Sequence, residues 1–179
     1  MCSLDHPTDI SRRGFTGLAT FGLGLSLLPA RAWAQNAKDT NPTALGLMCI
    51  DYRYVNYGVD FFNKQAGSEN FDDVALTGAS LAAYSPSAFP DLTPAFWEQI
   101  AAARTLHPNI SKVLILDHMR CGAYRVQFGD MTPEQERKKH LEVAETVTPL
   151  FGARGLRADV WLLDDPTQPP EWIWPLEKR

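Results

Sequence analysis

The amino-acid sequence predicts an α/β fold in which a mainly parallel β-sheet is flanked by helices. Short, nearly continuous apolar runs, which are typical of buried strands, recur along the chain. These runs alternate with segments that carry helix-start signals, and such alternation is typical of parallel strands connected by helices. The predicted strands cover residues 44–50, 74–76, 113–116 and 158–163.

The first predicted helix begins at a Thr-Pro pair. Thr93 suits the N-cap position, and Pro94 suits the first helical position, where a backbone N–H is not needed. The helix should end near His107, because Pro108 disfavours the helical conformation in the residue before it.

A second helix is predicted to begin with a capping box at Thr132, since a Gln follows three residues later. It should run to about residue 147, before Pro149. Residues 134–142 are rich in charge, which predicts a solvent-exposed face that includes His140. The Pro-rich segment 166–175, with its two tryptophans, is predicted to lie on the surface as a strap.

Composition excludes several classes of protein. The chain has 179 residues, which fits one or two domains, and 45% of them are hydrophobic, which is enough for a buried core. The formal net charge is −4 and no patch of Lys and Arg dominates, so a nucleic-acid partner has no electrostatic support. Three cysteines are too few for a disulfide scaffold.

The first 34 residues have the pattern of a secretory signal. A twin-arginine motif at residues 11–15 precedes a mildly apolar run, residues 18–28, and the small-residue cleavage pattern of residues 32–34. Paired arginines indicate the Tat route, which exports folded proteins to the periplasm. The apolar run is about half the ~20 residues needed to cross a bilayer, which argues against a membrane anchor. No other segment is long and apolar enough, so no membrane span is expected after removal of the signal. The expected mature protein is a single domain, residues 35–179.

Three chemically reactive residues lie at the end of the first predicted strand. Cys49, Asp51 and Arg53 are spaced two apart, so in an extended chain they project from one face. Arg53 is expected to hold the Asp51 carboxylate ionised and oriented through charge-assisted hydrogen bonds.

A second group follows the strand at residues 113–116. His118 and Cys121 are three apart and can meet on one side of a turn, with Gly122 relieving crowding beside them. Thiolates and imidazole are ligands that zinc prefers. Because ligands bind beyond the carboxyl ends of parallel strands, Cys49 is expected to join this pair. Three protein ligands that leave one position open are the pattern of a catalytic zinc site.

A disulfide between Cys49 and Cys121 is the alternative, because the periplasm is oxidising. It would leave a binding protein without metal. That alternative does not account for Asp51, Arg53 and His118 at their spacings.

The motifs Cys-x-Asp-x-Arg and His-x-x-Cys-Gly, each after a buried strand, resemble the β-class carbonic anhydrases over about residues 45–163. The resemblance implies that Cys49, His118 and Cys121 bind zinc and that Asp51 and Arg53 form a catalytic dyad. It further implies a lyase that interconverts CO2 and bicarbonate through a zinc-bound hydroxide, and a homodimer or a higher homo-oligomer. Some relatives hydrolyse carbonyl sulfide or carbon disulfide instead, and a zinc-binding protein without catalysis on the same fold is a further alternative.

Two of the departures of the sequence from this family lie near the predicted site. Asp117 stands where the family often has glycine before the metal histidine, and it either orients an imidazole or disturbs the cleft. Residues 76–80 keep only the small Gly-Ala character of the family's Arg-Asn-Ala-Gly motif.

Overall fold

The computed structural model describes residues 42–67 and 70–175. The predicted signal peptide, residues 1–34, lies outside the described residues and stays a prediction, as does the domain boundary at residue 35. In chain order the elements are β1 (Ala44–Met48), α1 (Val55–Ala66), β2 (Phe71–Ala75), a 3-10 helix (Ala79–Ala83), α2 (Leu92–Leu106), β3 (Lys112–His118), α3 (Gly122–Phe128), α4 (Pro133–Gly152), β4 (Arg157–Leu163) and β5 (Glu171–Trp174).

The five strands form one sheet in the order β2-β1-β3-β4-β5. The first four strands are parallel and β5 pairs antiparallel with β4. The prediction of a mainly parallel sheet flanked by helices is therefore confirmed. No helix in the described part of the chain is long and apolar enough to cross a lipid bilayer.

The sheet is buried on both faces because helices cover each of them. Successive strand residues point to opposite faces, so Leu45 and Leu47 belong to one core cluster while Ala44 and Met48 belong to the other. The larger cluster lies under the 3-10 helix, α2 and α4, and the smaller one under α1. Continuous burial of β1 explains why its sequence is an unbroken apolar run.

Helix α2 begins at Leu92 with Asp91 as N-cap, so the prediction of Thr93 as N-cap is wrong. The Thr93 hydroxyl instead donates to the Ala82 carbonyl and accepts from the Ser85 N–H, which ties α2 to the 3-10 helix. Pro94 still lies in the first turn, where its missing N–H costs no helical hydrogen bond. The predicted end near His107 is confirmed, since α2 ends at Leu106.

Helix α4 begins with the predicted capping box between Thr132 and Gln135. The predicted end near residue 147 is wrong, because the helix continues through Pro149 to Gly152. Pro149 removes one helical hydrogen bond. The fully buried ring of Phe151 packs against aromatic rings of α2 and holds the last turn in place despite that loss.

The C-terminal segment is part of the sheet and not only a surface strap. Residues Glu171–Trp174 form β5, and Ile173 within it is buried. The sequence patterns did not predict β5, α1 or α3, because these elements are short or lack a cap signal and are stabilised by packing against the sheet.

Gly46 lies in β1 where the fully buried Phe62 ring leaves no space for a side chain. A Cβ at Gly46 would lie 2.6 Å from the Phe62 ring, whereas a Cβ at Gly152 would meet nothing within 4 Å. We expect Gly46→Ala to lower the free energy of unfolding by about 1–3 kcal/mol, because the ring must shift within a close-packed core.

Urea denaturation checks this expectation, with Gly152→Ala as the matched control. The control should leave the midpoint unchanged or raise it slightly, because alanine favours a helix over glycine. Equal midpoints for Gly46→Ala and the wild type would contradict the packing described here.

Candidate metal centre

The candidate site lies where the chain changes direction within the sheet. From β1 the chain moves to β2 on one side, and it later returns to β3 on the other side of β1. The carboxyl ends of such neighbouring strands leave a crevice, which is where ligands bind in open α/β sheets. Met48 pairs with Leu116, so Cys49 and His118 leave adjacent strands at the same edge.

Cys49, His118 and Cys121 converge at this edge. One ligand atom from each residue lies within 4.8 Å of the others, and all three residues are buried. Two sulfur atoms and an imidazole nitrogen at this spacing are able to hold a soft or borderline divalent metal ion. The convergence that the sequence predicts for these three residues is therefore present.

The His118 ring nitrogen that makes no hydrogen bond, Nε2, lies beside the two sulfur atoms. The other ring nitrogen, Nδ1, lies 2.9 Å from the Met119 carbonyl oxygen, which can only accept, so Nδ1 carries the hydrogen of that bond. Nε2 is buried and has no hydrogen-bond partner. The ring also packs against the Tyr54 ring at 4.5 Å. A buried nitrogen lone pair without a donor beside two sulfur atoms fits a metal ligand.

The surroundings of the two sulfur atoms shift their pKa values in opposite directions. The Cys121 thiol, the neighbouring His118 imidazole and the Gly78 backbone N–H together hold the pKa of Cys49 well below its usual value, against the opposing effect of burial. The same contact with Cys49 and burial raise the pKa of Cys121. Burial opposes a charge on His118, but the Cys49 and Met119 contacts outweigh it and raise the pKa of that imidazole.

Both cysteines are free thiols in this structure, so the predicted disulfide alternative is not the state described. The shared protons that hold the cluster together are those that a metal ion displaces when it binds. The three side chains thus fit a metal ion in number and in type.

Asp51 and Arg53 form a two-pronged ion pair beside the cluster. Arg53 Nε lies 2.9 Å from Asp51 Oδ1 and Arg53 Nη2 lies 2.6 Å from Asp51 Oδ2. The Arg53 hydrogen bonds lower the pKa of the Asp51 carboxyl to about 2, so it is ionised at neutral pH. Asp51 Oδ2 lies 4.0 Å from His118 Nε2, which places the carboxylate next to the potential ligand atoms.

Two features that the sequence did not reveal shape the loop between His118 and Cys121: a left-handed backbone conformation and a hydrogen bond to α4. Arg120 adopts a left-handed backbone conformation, with φ 58°, which turns the chain back toward His118. The Glu136 carboxylate accepts a hydrogen bond of 3.0 Å from the Cys121 N–H. Glu136 on α4 therefore anchors the residue that carries the second sulfur ligand.

A cavity of about 870 Å³ opens beside the cluster. Polar side chains on its wall include Asp51, Arg53, Arg120, Arg125 and Glu136. Cys121 also lies on this wall, so a small molecule in the cavity reaches the potential metal site.

Asp117 does not orient the imidazole of His118. Neighbouring strand residues point to opposite faces, and Asp117 points toward the 3-10 helix, α3 and α4. There it contacts a different imidazole, that of His140, at 3.2 Å. The prediction that His140 lies on a solvent-exposed face is wrong, because its side chain is fully buried.

A sequence signal for the buried face of α4 did exist. The apolar residues Val143, Val147 and Phe151 recur at helical spacing, and the same spacing extends back to His140 and Glu136. The charged neighbours of His140 obscured this stripe.

Two curated proteins are similar to this chain in sequence. An uncharacterized protein of Rickettsia conorii is 35% identical over 115 residues, which is 64% of this chain and 59% of that protein. An uncharacterized protein of Rickettsia bellii is 33% identical over 105 residues, 56% of this chain and 62% of that protein. The chain thus spans about three fifths of the length of the curated relatives it matches. No family model matches the sequence.

Solved structures that are similar to this chain include β-carbonic anhydrases. A tetrameric enzyme of Sordaria macrospora has a TM-score of 0.48 at 16% identity, covering 88% of this chain and 98% of that one. A Coccomyxa enzyme in complex with acetazolamide has a TM-score of 0.48 at 13% identity, covering 93% and 86%. These low identities and TM-scores leave the assignment of function to the geometry of the site.

Replacing Cys121 by Ser tests the metal centre directly. We expect wild-type protein, purified with its thiols reduced, to bind about one divalent metal ion per chain, and Cys121→Ser to lose most of it because a hydroxyl is a poor substitute for a thiolate. Elemental analysis and the absorption bands of a cobalt(II) titration measure the binding. Gly152→Ala, at the opposite end of α4 from Glu136, is the control and should bind as the wild type does, whereas full binding by Cys121→Ser would overturn the assignment.

Proposed function

We propose that this protein is a zinc-dependent carbonic anhydrase that interconverts CO2 and bicarbonate. The observation that carries the proposal is the joint placement of the Cys49–His118–Cys121 cluster and the clamped Asp51 carboxylate, 4.0 Å from His118 Nε2. The order and type of these residues match the motifs of the β-class enzymes, which the sequence resembles. Similarity in fold alone does not assign an activity.

Zinc is the metal that this donor set favours, since two sulfur atoms and one imidazole leave a fourth tetrahedral position open. Cys49, His118 Nε2 and Cys121 would hold it. Bound there, zinc would act as a Lewis acid that makes water a nucleophile near neutral pH.

Asp51 would act on the attacking water. An ionised carboxylate only accepts hydrogen bonds, so Asp51 Oδ2 would accept one from the water and aim its lone pair at the CO2 carbon. Arg53 supports this role in two ways. Its guanidinium lowers the pKa of Asp51, and its two-pronged contact keeps the carboxylate from rotating toward the sulfur atoms.

The cavity is large enough to admit a small substrate, and its size does not discriminate strongly between small substrates. Its volume of about 870 Å³ far exceeds that of CO2, so CO2 and carbonyl sulfide both have access. Discrimination between them would depend on the reacting groups, and for this reason both substrates belong in the assay.

Asp51→Asn tests the proposed role of the carboxylate. We expect CO2 hydration to fall by at least about 100-fold with zinc retained, because an amide nitrogen faces the water and Arg53 loses its charged partner. Stopped-flow measurement of CO2 hydration, with zinc analysis of the same samples, gives the result. Asp60→Asn, an exposed carboxylate on α1, is the control and should keep full activity.

The outcomes separate the alternatives. Wild-type protein that binds zinc but hydrates neither CO2 nor carbonyl sulfide would support a zinc-binding protein without catalysis and overturn the enzyme proposal. Activity on carbonyl sulfide alone would make carbonyl sulfide the substrate and leave the assignment of the site residues unchanged. Undiminished hydration by Asp51→Asn would remove Asp51 from the mechanism.

The proposal includes the association of the chain into a homo-oligomer. Ile50 and Tyr52, on the cavity wall, are 58% and 85% exposed, and such apolar exposure at a site favours a protein contact. We expect light scattering to give a multiple of the chain mass, and Ile50→Asp to reduce it. Leu106→Asp is the control, since Leu106 is 74% exposed but precedes β3 at the opposite edge of the sheet. A monomeric wild type would contradict this expectation.

A further inference from the structure

A buried polar cluster lies behind the candidate metal centre and has no part in the chemistry proposed above. Its members are Ser80, Asp117, Tyr124, Glu136 and His140. Asp117 is 1% exposed and His140 is fully buried. Burying a carboxyl group and an imidazole costs several kcal/mol unless both find partners, so the cluster is tolerated only where its contacts offset that cost.

Asp117 is the centre of the polar cluster. Its Oδ1 accepts a hydrogen bond of 3.0 Å from the Ser80 backbone N–H, and its Oδ2 accepts one of 2.5 Å from the Ser80 hydroxyl. The Tyr124 hydroxyl donates to Oδ2 at 3.3 Å, and His140 Nδ1 lies 3.2 Å from the same oxygen. One carboxyl group at the end of β3 thus joins the 3-10 helix, α3 and α4.

Each of these three elements also holds a sulfur ligand. The 3-10 helix follows Gly78, whose backbone N–H donates to Cys49. Helix α3 has Cys121 as its N-cap residue. Helix α4 carries Glu136, one turn before His140, and the Glu136 carboxylate accepts the Cys121 N–H. Movement of any of these elements relative to β3 would therefore change the distance between the two sulfur atoms.

We propose that Asp117 and His140 are positioning residues that hold Cys49 and Cys121 at the spacing a metal ion requires. The inference rests on the metal-binding part of the proposed function and not on its substrate. Loss of either residue leaves all three ligands in place, so its effect is on metal affinity and on ligand geometry. Partners of this kind outside the ligand shell typically change metal affinity about 10- to 100-fold.

The Nδ1 atom of His140 is the atom through which this side chain contacts Asp117. The ring stacks on the Tyr124 ring at 3.8 Å, and Nδ1 faces Asp117. Its Nε2 has no hydrogen-bond partner and lies 4.0 Å from the nearer Glu136 oxygen. A side chain that keeps a donor at the Nδ1 position should therefore keep the function of His140.

Two substitutions at His140 distinguish positioning from simple packing. Asparagine places its amide nitrogen where Nδ1 lies but leaves a void, whereas leucine fills the apolar volume without a donor. For the full chain we expect His140→Leu to weaken zinc binding about 10- to 100-fold and to alter the cobalt(II) absorption bands. We expect His140→Asn to stay within a few-fold of the wild type. A packing role predicts the reverse order and would overturn the inference.

Asp117→Asn gives a second measurement that does not depend on the His140 variants folding. Chelator competition measures the zinc dissociation constant, and circular dichroism confirms the fold of each sample. Asp159→Asn is the matched control, because Asp159 is 5% exposed, pairs with Arg157 and lies near the start of β4, away from the site. We expect weaker zinc binding and altered cobalt bands for Asp117→Asn only.

The results separate this inference from the proposed function. Wild-type protein that binds zinc tightly but hydrates no CO2 would overturn the function, while weaker binding by His140→Leu and Asp117→Asn would still support the inference. Wild-type affinity and spectra in both variants would overturn the inference and leave the function standing. A wild type that binds no metal would overturn both.

Discussion

The parallel pairing of β1 with β3 is the constraint on which the site depends. Met48 lies opposite Leu116, and β3 continues two residues beyond this pair to His118, so Cys49 and His118 lie at the same edge of the sheet. Hydrogen bonds along both strands and burial on both faces hold this register, because a slip by one residue would turn every side chain to the wrong face. The paired strands thus set the spacing between Cys49 and His118, whereas Cys121 and Asp51 are placed by the loops that follow these strands.

Two electrostatic environments meet at this edge. The sulfur and imidazole cluster is buried, so its protonation follows from contacts among its own members and from nearby N–H groups. The Asp51–Arg53 pair is partly exposed and stays ionised because the guanidinium offsets what little desolvation the carboxyl suffers. A metal-binding region shielded from water and a charged group at the cavity wall are thereby only 4.0 Å apart, measured from His118 Nε2 to Asp51 Oδ2.

Strands and caps were predictable where one local pattern decided the outcome. The apolar runs at β1, β3 and β4 and the capping box at Thr132 depend on neighbouring residues, and the structure contains all of them. Predictions were wrong where packing overrode a local signal. Phe151 carries α4 past Pro149, and Thr93 bonds to the 3-10 helix instead of capping α2.

The sequence by itself determined which residues form the candidate site. Cys49, Asp51 and Arg53 are close in the sequence, and a turn at residues 52–53 brings Arg53 to Asp51, while the three-residue spacing brings His118 to Cys121. Tertiary structure alone decided what surrounds them. Asp117 meets Ser80 and His140 across 37 and 23 residues of chain, and no local pattern specifies which distant side chain fills a buried space. Such contacts depend on how helices pack on the sheet, since only the folded chain brings their donors and acceptors together.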